Sequence, residues 1–143
     1  GMAQLKKLDR IIALNRRNKQ IVKGHLKQSD KIRFRRLTDE AGDLGDTVIF
    51  YFDDKRHTDA FLKKYGEAGL QTKNIPDAID WHFAGTWNQM FKDVPAYRDC
   101  WRTAWRKSAE FLARSVATPI YVKKTEEEMH REGETMLKIL NSI

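Results

Sequence analysis

The residues best suited to bind a small molecule lie in one short stretch. Positions 81–89 read WHFAGTWNQ, which puts Trp81, His82, Trp87 and Asn88 close together. Aromatic faces can cover the apolar side of a sugar ring while imidazole, hydroxyl and amide groups fix its orientation. A second interpretation of these aromatic residues has an equally good physical basis. Tryptophan has the largest apolar area of any side chain, so a small domain can use its tryptophans to build the hydrophobic core. Residue chemistry alone favours the core interpretation.

A self-contained catalytic set is missing from the sequence. It has no glycine-rich phosphate loop and no Gly-x-Ser-x-Gly elbow. The four histidines, His25, His57, His82 and His130, stand far apart, with no metal-binding spacing between them. His130 has the setting of a solvated helix face. Cys100 is the single cysteine, which excludes an intrachain disulfide, and without a histidine nearby it is expected to be buried and structural.

Length and composition predict one globular domain covering residues 1–143. The chain is 41% hydrophobic and 33% charged, and no apolar run approaches the length of a membrane span. The start of the chain carries no apolar signal core, so we expect a cytoplasmic protein. The net charge of +7 permits a nucleic-acid partner, but acidic residues are interleaved nearly everywhere. A solvated basic surface is therefore favoured over nucleic-acid binding.

The elements that must position these residues begin with an amphipathic helix. Leu5, Leu8, Ile12, Val22 and Leu26 share one face of it, followed by a cluster of turn-forming residues at 28–30. No Ser, Thr, Asp or Asn precedes its first apolar residue as an N-cap. We therefore expect the natural start of this helix to lie upstream of the chain.

The remaining pattern predicts a two-layer α+β domain with a small, mainly antiparallel sheet covered by the first, middle and last helices. Alternation and β-branched runs predict strands at 32–37, 47–52 and 119–123, with a further candidate at 70–73. Asp53-Asp54 caps a middle helix that ends near Gly69. Short helices and loops are expected over 75–106, and a helix over 110–117. Thr125 and Glu128 form a capping box for a last helix that runs to about Asn141.

Four features, in order, resemble the small domain of DegT/StrS-type aminotransferases. Ala3 to Asp9 with Arg16 and Arg17 is similar to that domain's opening helix, "A-x-Q-L-x-x-L-D…R-R". The stretch 61–73 resembles the turn before the substrate loop, and 81–88 stands where that loop carries its histidine and aromatics. Residues 112–120 resemble the "L-x-R-S-L-x-L-P" segment, which a strand, a Thr-Glu-Glu-Glu cap and a final helix follow. The resemblance spans essentially the whole chain.

This resemblance implies a fragment of a dimeric pyridoxal-phosphate enzyme that transfers an amino group to a keto sugar. The Schiff-base lysine and the other cofactor-binding residues belong to the family's large domain, so no cofactor is expected on this chain alone, which is predicted to be inactive. Its part would be a lid over the substrate, with pairing to the missing large domain or self-association. His82 matches the loop histidine and is implied as a substrate contact; Trp81, Trp87 and Asn88 are implied by proximity.

The sequence of the loop at 81–88 implies a more specific substrate class. It departs from the commoner "P-x-H-x-Q-P-x-Y" form and is closer to a branch that aminates an eight-carbon keto-sugar acid of bacterial lipopolysaccharide. Two other interpretations stay open. One is a basic α+β nucleic-acid-binding module, supported by Arg33, Arg35 and Arg36. The other is a stand-alone regulatory domain that pairs with an intact aminotransferase chain.

Overall fold

A three-stranded antiparallel sheet organises the protein in the computed structural model, which describes residues 2–97 and 100–143. Its strands are β1 (Ile32–Phe34), β2 (Thr47–Phe52) and β3 (Ser115–Pro119), in the order β1-β2-β3. Ile32 faces Phe52 in the first pair, and Tyr51 faces Ser115 in the second. The architecture is α+β, as the sequence predicts.

One face of the sheet carries the hydrophobic core. Burial alternates along β2, so that Val48, Phe50 and Phe52 point into the core while the residues between them are half-buried. Three helices cover this face: α2 (Leu8–Leu26), α3 (Lys55–Glu67) and α8 (Glu126–Asn141). Helix α2 packs most extensively on α8. The layers meet at fully buried Leu26, Phe61, Met129 and Leu140.

The predicted opening helix is divided in two: a short helix, α1 (Met2–Leu5), precedes α2, which begins at Leu8 and, as the sequence predicts, has no side-chain cap, its N-cap position being Lys7. Its buried face differs from the predicted stripe, because Leu5 and Leu8 are exposed. Its polar middle is buried instead. The Asn18 amide donates to the carbonyl oxygens of Tyr121 and Lys124 at 3.0 and 3.2 Å. These two hydrogen bonds satisfy the buried amide N–H groups of Asn18, which would otherwise have no partner in the apolar core.

Two helices have the predicted ends. Asp54 caps α3 by accepting from the backbone N–H of Arg56 at 2.7 Å, and Gly69 follows the helix with a φ of +75°. The Thr125–Glu128 capping box begins α8 with both reciprocal hydrogen bonds present. Capping residues act through hydrogen bonds within a few positions of the helix end. The sequence alone therefore predicts these helix ends accurately.

Three predicted strands need correction. The first ends at Phe34 and does not reach Leu37, although the Arg35 N–H still donates to the Ile49 carbonyl at 2.9 Å. The last strand is Ser115–Pro119, where a helix ending at 117 and a strand at 119–123 were expected. Pairing with β2 overrides the helical preference of this stretch. Residues 70–73 form no strand.

The outer edge of β3 is nevertheless paired. The Lys73 N–H donates to the Ala117 carbonyl at 2.8 Å, and the Ala117 N–H donates to the Ile75 carbonyl at 3.1 Å. The chain between these two bonds therefore lies along β3 in place of a fourth strand.

Residues 79–97 and 100–112, here called the aromatic segment, form short helices joined by turns, which agrees with the short helices and loops predicted over 75–106. They are α4 (Ile79–His82), a 3₁₀ turn (Ala84–Thr86), α5 (Asn88–Phe91), α6 (Trp101–Ala104) and α7 (Arg106–Leu112). Helix α7 contacts β3, and the Phe111 ring packs on that of Tyr51 at 4.8 Å between centroids. Across the described helices of the chain, none combines the length and apolar character needed to cross a bilayer.

Candidate functional site

His82, the first candidate substrate contact, lines a cavity of about 250 Å³. The rest of the lining is mainly apolar and comes from the stretch before α4, from α4 itself and from the end of α7: Asn74, Ile75, Ala78, Ile79, Phe83 and Leu112. Such a wall can pack against the flat, apolar side of a ring. One imidazole at its edge would then donate to, or accept from, a polar substituent.

Backbone geometry around Asn74 positions His82. Asn74 has a φ of +67°, a left-handed conformation that asparagine tolerates better than most residues. Its carbonyl accepts from the Ala78 N–H at 2.8 Å, and the Ala78 carbonyl accepts from the His82 N–H at 3.1 Å. After α4, the Thr86 hydroxyl lies 2.7 Å from the Phe83 carbonyl and closes the next turn. The imidazole thus stands on a helix fixed at both ends.

The other three candidates do not line this cavity. Trp81 is 80% exposed, and Asn88 is an exposed residue at the start of α5. Trp87 is half-buried and stacks on Phe91, with ring centroids 6.1 Å apart and an interplanar angle of 5°. The structure therefore brings His82 to the cavity and leaves the remaining three apart from it.

Trp87 belongs to a small aromatic cluster, not to the main core. Phe91 contacts Trp105 and Tyr97 at centroid distances of 5.0 and 5.3 Å. Among the described side chains of the aromatic segment, none is fully buried. The sequence favoured tryptophans as core; Trp81, Trp87 and Trp105 depart from that expectation, while the side chain of Trp101 lies outside the described part of the chain. A segment that packs mainly on itself and leaves apolar side chains half-exposed is typical of a surface that binds another domain or a ligand.

Cys100 also departs from its prediction. It was expected to be buried, but the structure leaves it exposed. The prediction failed because burial was inferred from the average behaviour of free cysteines, whereas this one sits in the aromatic segment, which has little interior.

A second pocket, of about 150 Å³, was not foreseen from the sequence. Tyr65 and Thr118 form its base and are joined by a hydrogen bond between their hydroxyl groups. Burial raises the pKa of Tyr65 to about 12. The Lys124 ammonium and the Glu132 carboxylate form an ion pair at the same pocket. No sequence motif indicates this pocket. The sequence pattern predicts only that Tyr65 belongs to the apolar face of α3.

Pyridoxal phosphate, the cofactor that the resemblance implies, needs a lysine amine available in a cavity of its own size. The described lysines that line cavities do not meet this need. Lys124 is paired with Glu132, and Lys23, whose pKa is lowered mainly by burial, lines a cavity of only about 10 Å³. Buried Lys19 is held 2.6 Å from the Asp43 carboxylate. These three lysines therefore do not fit a Schiff-base site.

The basic cluster that could contact nucleic acid is partly neutralised. Arg33 lies 3.3 Å from the Asp53 carboxylate. Arg35 and Arg36 line a surface groove that they share with Asp39 and Asp43. This interleaving agrees with the solvated basic surface that the sequence favours.

Comparison with known proteins identifies the fold. No family model matches the chain. The structure is similar to a crystal structure of 3-amino-5-hydroxybenzoic acid (AHBA) synthase, with a TM-score of 0.68 over 99% of this chain and 17% sequence identity. The chain spans 37% of the length of that enzyme. This likeness confirms the predicted α+β fold and its similarity to part of an aminotransferase-like fold.

Proposed function

We propose that this chain is the C-terminal small domain of a pyridoxal-phosphate-dependent sugar aminotransferase and covers the substrate there. The observation that carries the proposal is the match of nearly the whole chain to about a third of an AHBA synthase chain. The same four sequence features that resemble the DegT/StrS small domain occur in order along this matched length. A domain of this kind needs no catalytic set of its own, because the cofactor and its lysine belong to another part of the enzyme.

The aromatic segment is the substrate-covering part of this domain. The cavity beside α4 offers Ile75, Ile79, Phe83 and Leu112 to the apolar face of a sugar ring, and the His82 imidazole to a hydroxyl or carboxylate. Trp81, Trp87 and Asn88 stand on neighbouring turns, from which closure over a bound ligand would bring them into contact. The lid role follows from this position on the surface together with the incomplete burial of the segment.

The substrate is a keto sugar of bacterial polysaccharide synthesis, with an eight-carbon keto-sugar acid of lipopolysaccharide as the specific candidate. Two features support an acidic substrate. The chain carries a net charge of +7, which attracts anions, and His82 can donate a hydrogen bond to a carboxylate. The enzyme would act in the cytoplasm, with this domain paired to its large domain and to a second subunit.

A borohydride reduction tests the proposal that the cofactor-binding lysine lies outside this chain. The purified chain is incubated with pyridoxal phosphate, reduced with sodium borohydride and analysed by mass spectrometry. We expect no stoichiometric phosphopyridoxyl-lysine and no absorbance band of a protein Schiff base. A single lysine modified in every molecule would overturn the proposal.

A substrate titration tests the lid. Two-dimensional NMR spectra are recorded while an eight-carbon keto-sugar acid is added, and the His82 imidazole is compared with that of His57, an exposed residue on α3. We expect millimolar binding that shifts His82 and Trp81 and leaves His57 unchanged. Equal shifts at both histidines, or none at His82, would remove the assigned contact.

A further inference from the structure

Two histidines that are 105 positions apart meet across the helix pair α2 and α8. The Nε2 atom of His25 lies 2.9 Å from Nδ1 of His130, and the two rings are nearly perpendicular. His25 is half-buried and His130 is exposed. The sequence treated His130 as a solvated helix residue, because nothing in its neighbourhood points to a partner so distant along the chain.

Packing fixes the position of this pair. Gly133, one turn after His130 on α8, is buried against the His25 ring, and a Cβ atom there would lie 2.5 Å from His25 Cδ2. Glycine therefore makes room for the imidazole between the helices. Because α2 and α8 form the most extensive helix contact in the described structure, the backbone positions that carry the two rings are held close together.

The separation matches that of two ligands on one metal ion. Imidazole nitrogens bind Zn²⁺ or Cu²⁺ at about 2.0–2.1 Å, so two of them stand about 2.9 Å apart at the right angle of square-planar Cu²⁺ and about 3.3 Å apart at the tetrahedral angle of Zn²⁺. In the metal-free pair, one ring nitrogen carries the bridging proton and the other accepts it. Moving that proton to the far nitrogen of the same ring leaves both facing nitrogens with a lone pair, and rotation of the exposed His130 ring turns them to a common point.

We propose that His25 and His130 bind one late transition-metal dication, of the Zn²⁺ and Cu²⁺ class, as a clamp between α2 and α8. No third histidine, cysteine or carboxylate joins the pair within the described ranges 2–97 and 100–143. Water therefore completes the coordination, and the affinity is expected to lie in the micromolar range. Metal binding would tie the two helices together and raise the thermal stability of the domain.

The test measures Zn²⁺ and Cu²⁺ binding to the whole chain in a non-chelating buffer at pH 7.5. Calorimetry and the melting temperature report the affinity, and ¹⁵N-edited NMR with Zn²⁺ reports which ring nitrogens are ligands. The variants are His130→Ala, which removes an exposed side chain and should leave the fold intact, and His25→Ala. His57→Ala and His82→Ala remove single histidines elsewhere and serve as matched controls.

We expect one ion per chain, large ¹⁵N shifts at His25 Nε2 and His130 Nδ1, and affinity at least tenfold weaker in His130→Ala and His25→Ala. The His57 and His82 variants should bind like the parent chain. Equal binding by His130→Ala and the parent overturns the proposal. The proposal is also overturned if His25→Ala binds the metal as tightly as the parent chain does. A Zn²⁺ spectrum in which His25 Nε2 and His130 Nδ1 do not shift would overturn it as well.

Discussion

Lys19 anchors the loop from 38 to 46 to helix α2. Its ammonium is almost fully buried and lies 2.6 Å from the Asp43 carboxylate. Arg16, one turn earlier, donates from Nε to the Asp43 carbonyl at 2.7 Å. Gly45 has a φ of +76° and sits so close to the Arg16 backbone that any side chain there would clash. The loop is therefore fixed by charge and by close backbone approach.

Removing one member of the buried ion pair should be costly. Lys19→Met leaves Asp43 as an unpaired charge, so we expect the free energy of unfolding to fall by about 3 kcal/mol. The double variant Lys19→Met/Asp43→Leu removes both charges and should recover most of this loss. Chemical denaturation measures both, with Lys27→Met at an exposed position as control. A single variant as stable as the parent would show that the pair is dispensable.

Tyr65 makes the stability of the domain sensitive to alkaline pH. Burial raises its pKa to about 12, against about 10 in the unfolded chain, so the folded state holds the proton more tightly. Stability conferred by this group is present below pH 10 and is lost as the pH rises from about 10 to 12. The loss approaches 2–3 kcal/mol, as an order of magnitude. Denaturation between pH 8 and 11.5 should show it.

Tyr65→Phe is the matched variant for this pH dependence. It removes the ionising hydroxyl and should flatten the alkaline loss, while lowering neutral-pH stability by about 1 kcal/mol because the Thr118 hydroxyl loses its partner. An unchanged alkaline loss in this variant would assign the effect to other groups.

At the level of elements, the capping box of α8 should contribute measurably to stability. Thr125→Ala removes the acceptor for the Glu128 N–H, and we expect unfolding to become easier by about 1 kcal/mol. Thr135→Ala in the same helix is the control; its hydroxyl only donates to the Arg131 carbonyl, so stability should hold or rise. The Thr125 backbone N–H, which Thr125→Ala keeps, donates to the Glu128 carboxylate and lowers its pKa, so the stability from this second bond is present above the unfolded pKa of Glu128 and is lost as the pH falls through its lower folded pKa. Equal effects of the two variants would contradict the assignment.

Elements with local signals were predictable, and those defined by long-range pairing were not. Strand β2 matches its prediction because its β-branched and aromatic run is continuous, and α3 and α8 match because caps mark their ends. Strand β3 lies earlier in the chain than predicted because its position depends on the register with β2, where the paired residues Tyr51 and Ser115 are 64 positions apart. The meeting of His25 with His130 is equally long-range. Of the candidate site, the sequence indicated His82 but not the apolar wall around it.

On the scale of the whole molecule, the half-exposed aromatic segment sets the behaviour of the isolated chain. Met90, Val94 and Tyr97 expose apolar surface near one another in sequence, on a segment with no fully buried residue among those described. In the proposed enzyme this surface would be covered by the large domain.

Without that cover, we expect concentration-dependent self-association through the segment. The double variant Met90→Glu/Val94→Lys should weaken it at least tenfold, as measured by sedimentation velocity. Leu44→Glu is the control, because Leu44 is as exposed as Met90 but lies in the loop from 38 to 46. A parent chain that stays monomeric at high concentration, or a Leu44 variant with the same effect, would contradict this expectation.

The route of any such association is limited by the pairing of Ala117 with Lys73 and Ile75. Those two hydrogen bonds occupy the outward N–H and carbonyl groups of Ala117, at the centre of the edge where a neighbouring molecule could extend the sheet beyond β3. The opposite border offers only the three residues of β1 and a charged arginine at its centre. Copies of this chain are thus steered away from fibre-like growth, and their contacts should be reversible ones between side chains.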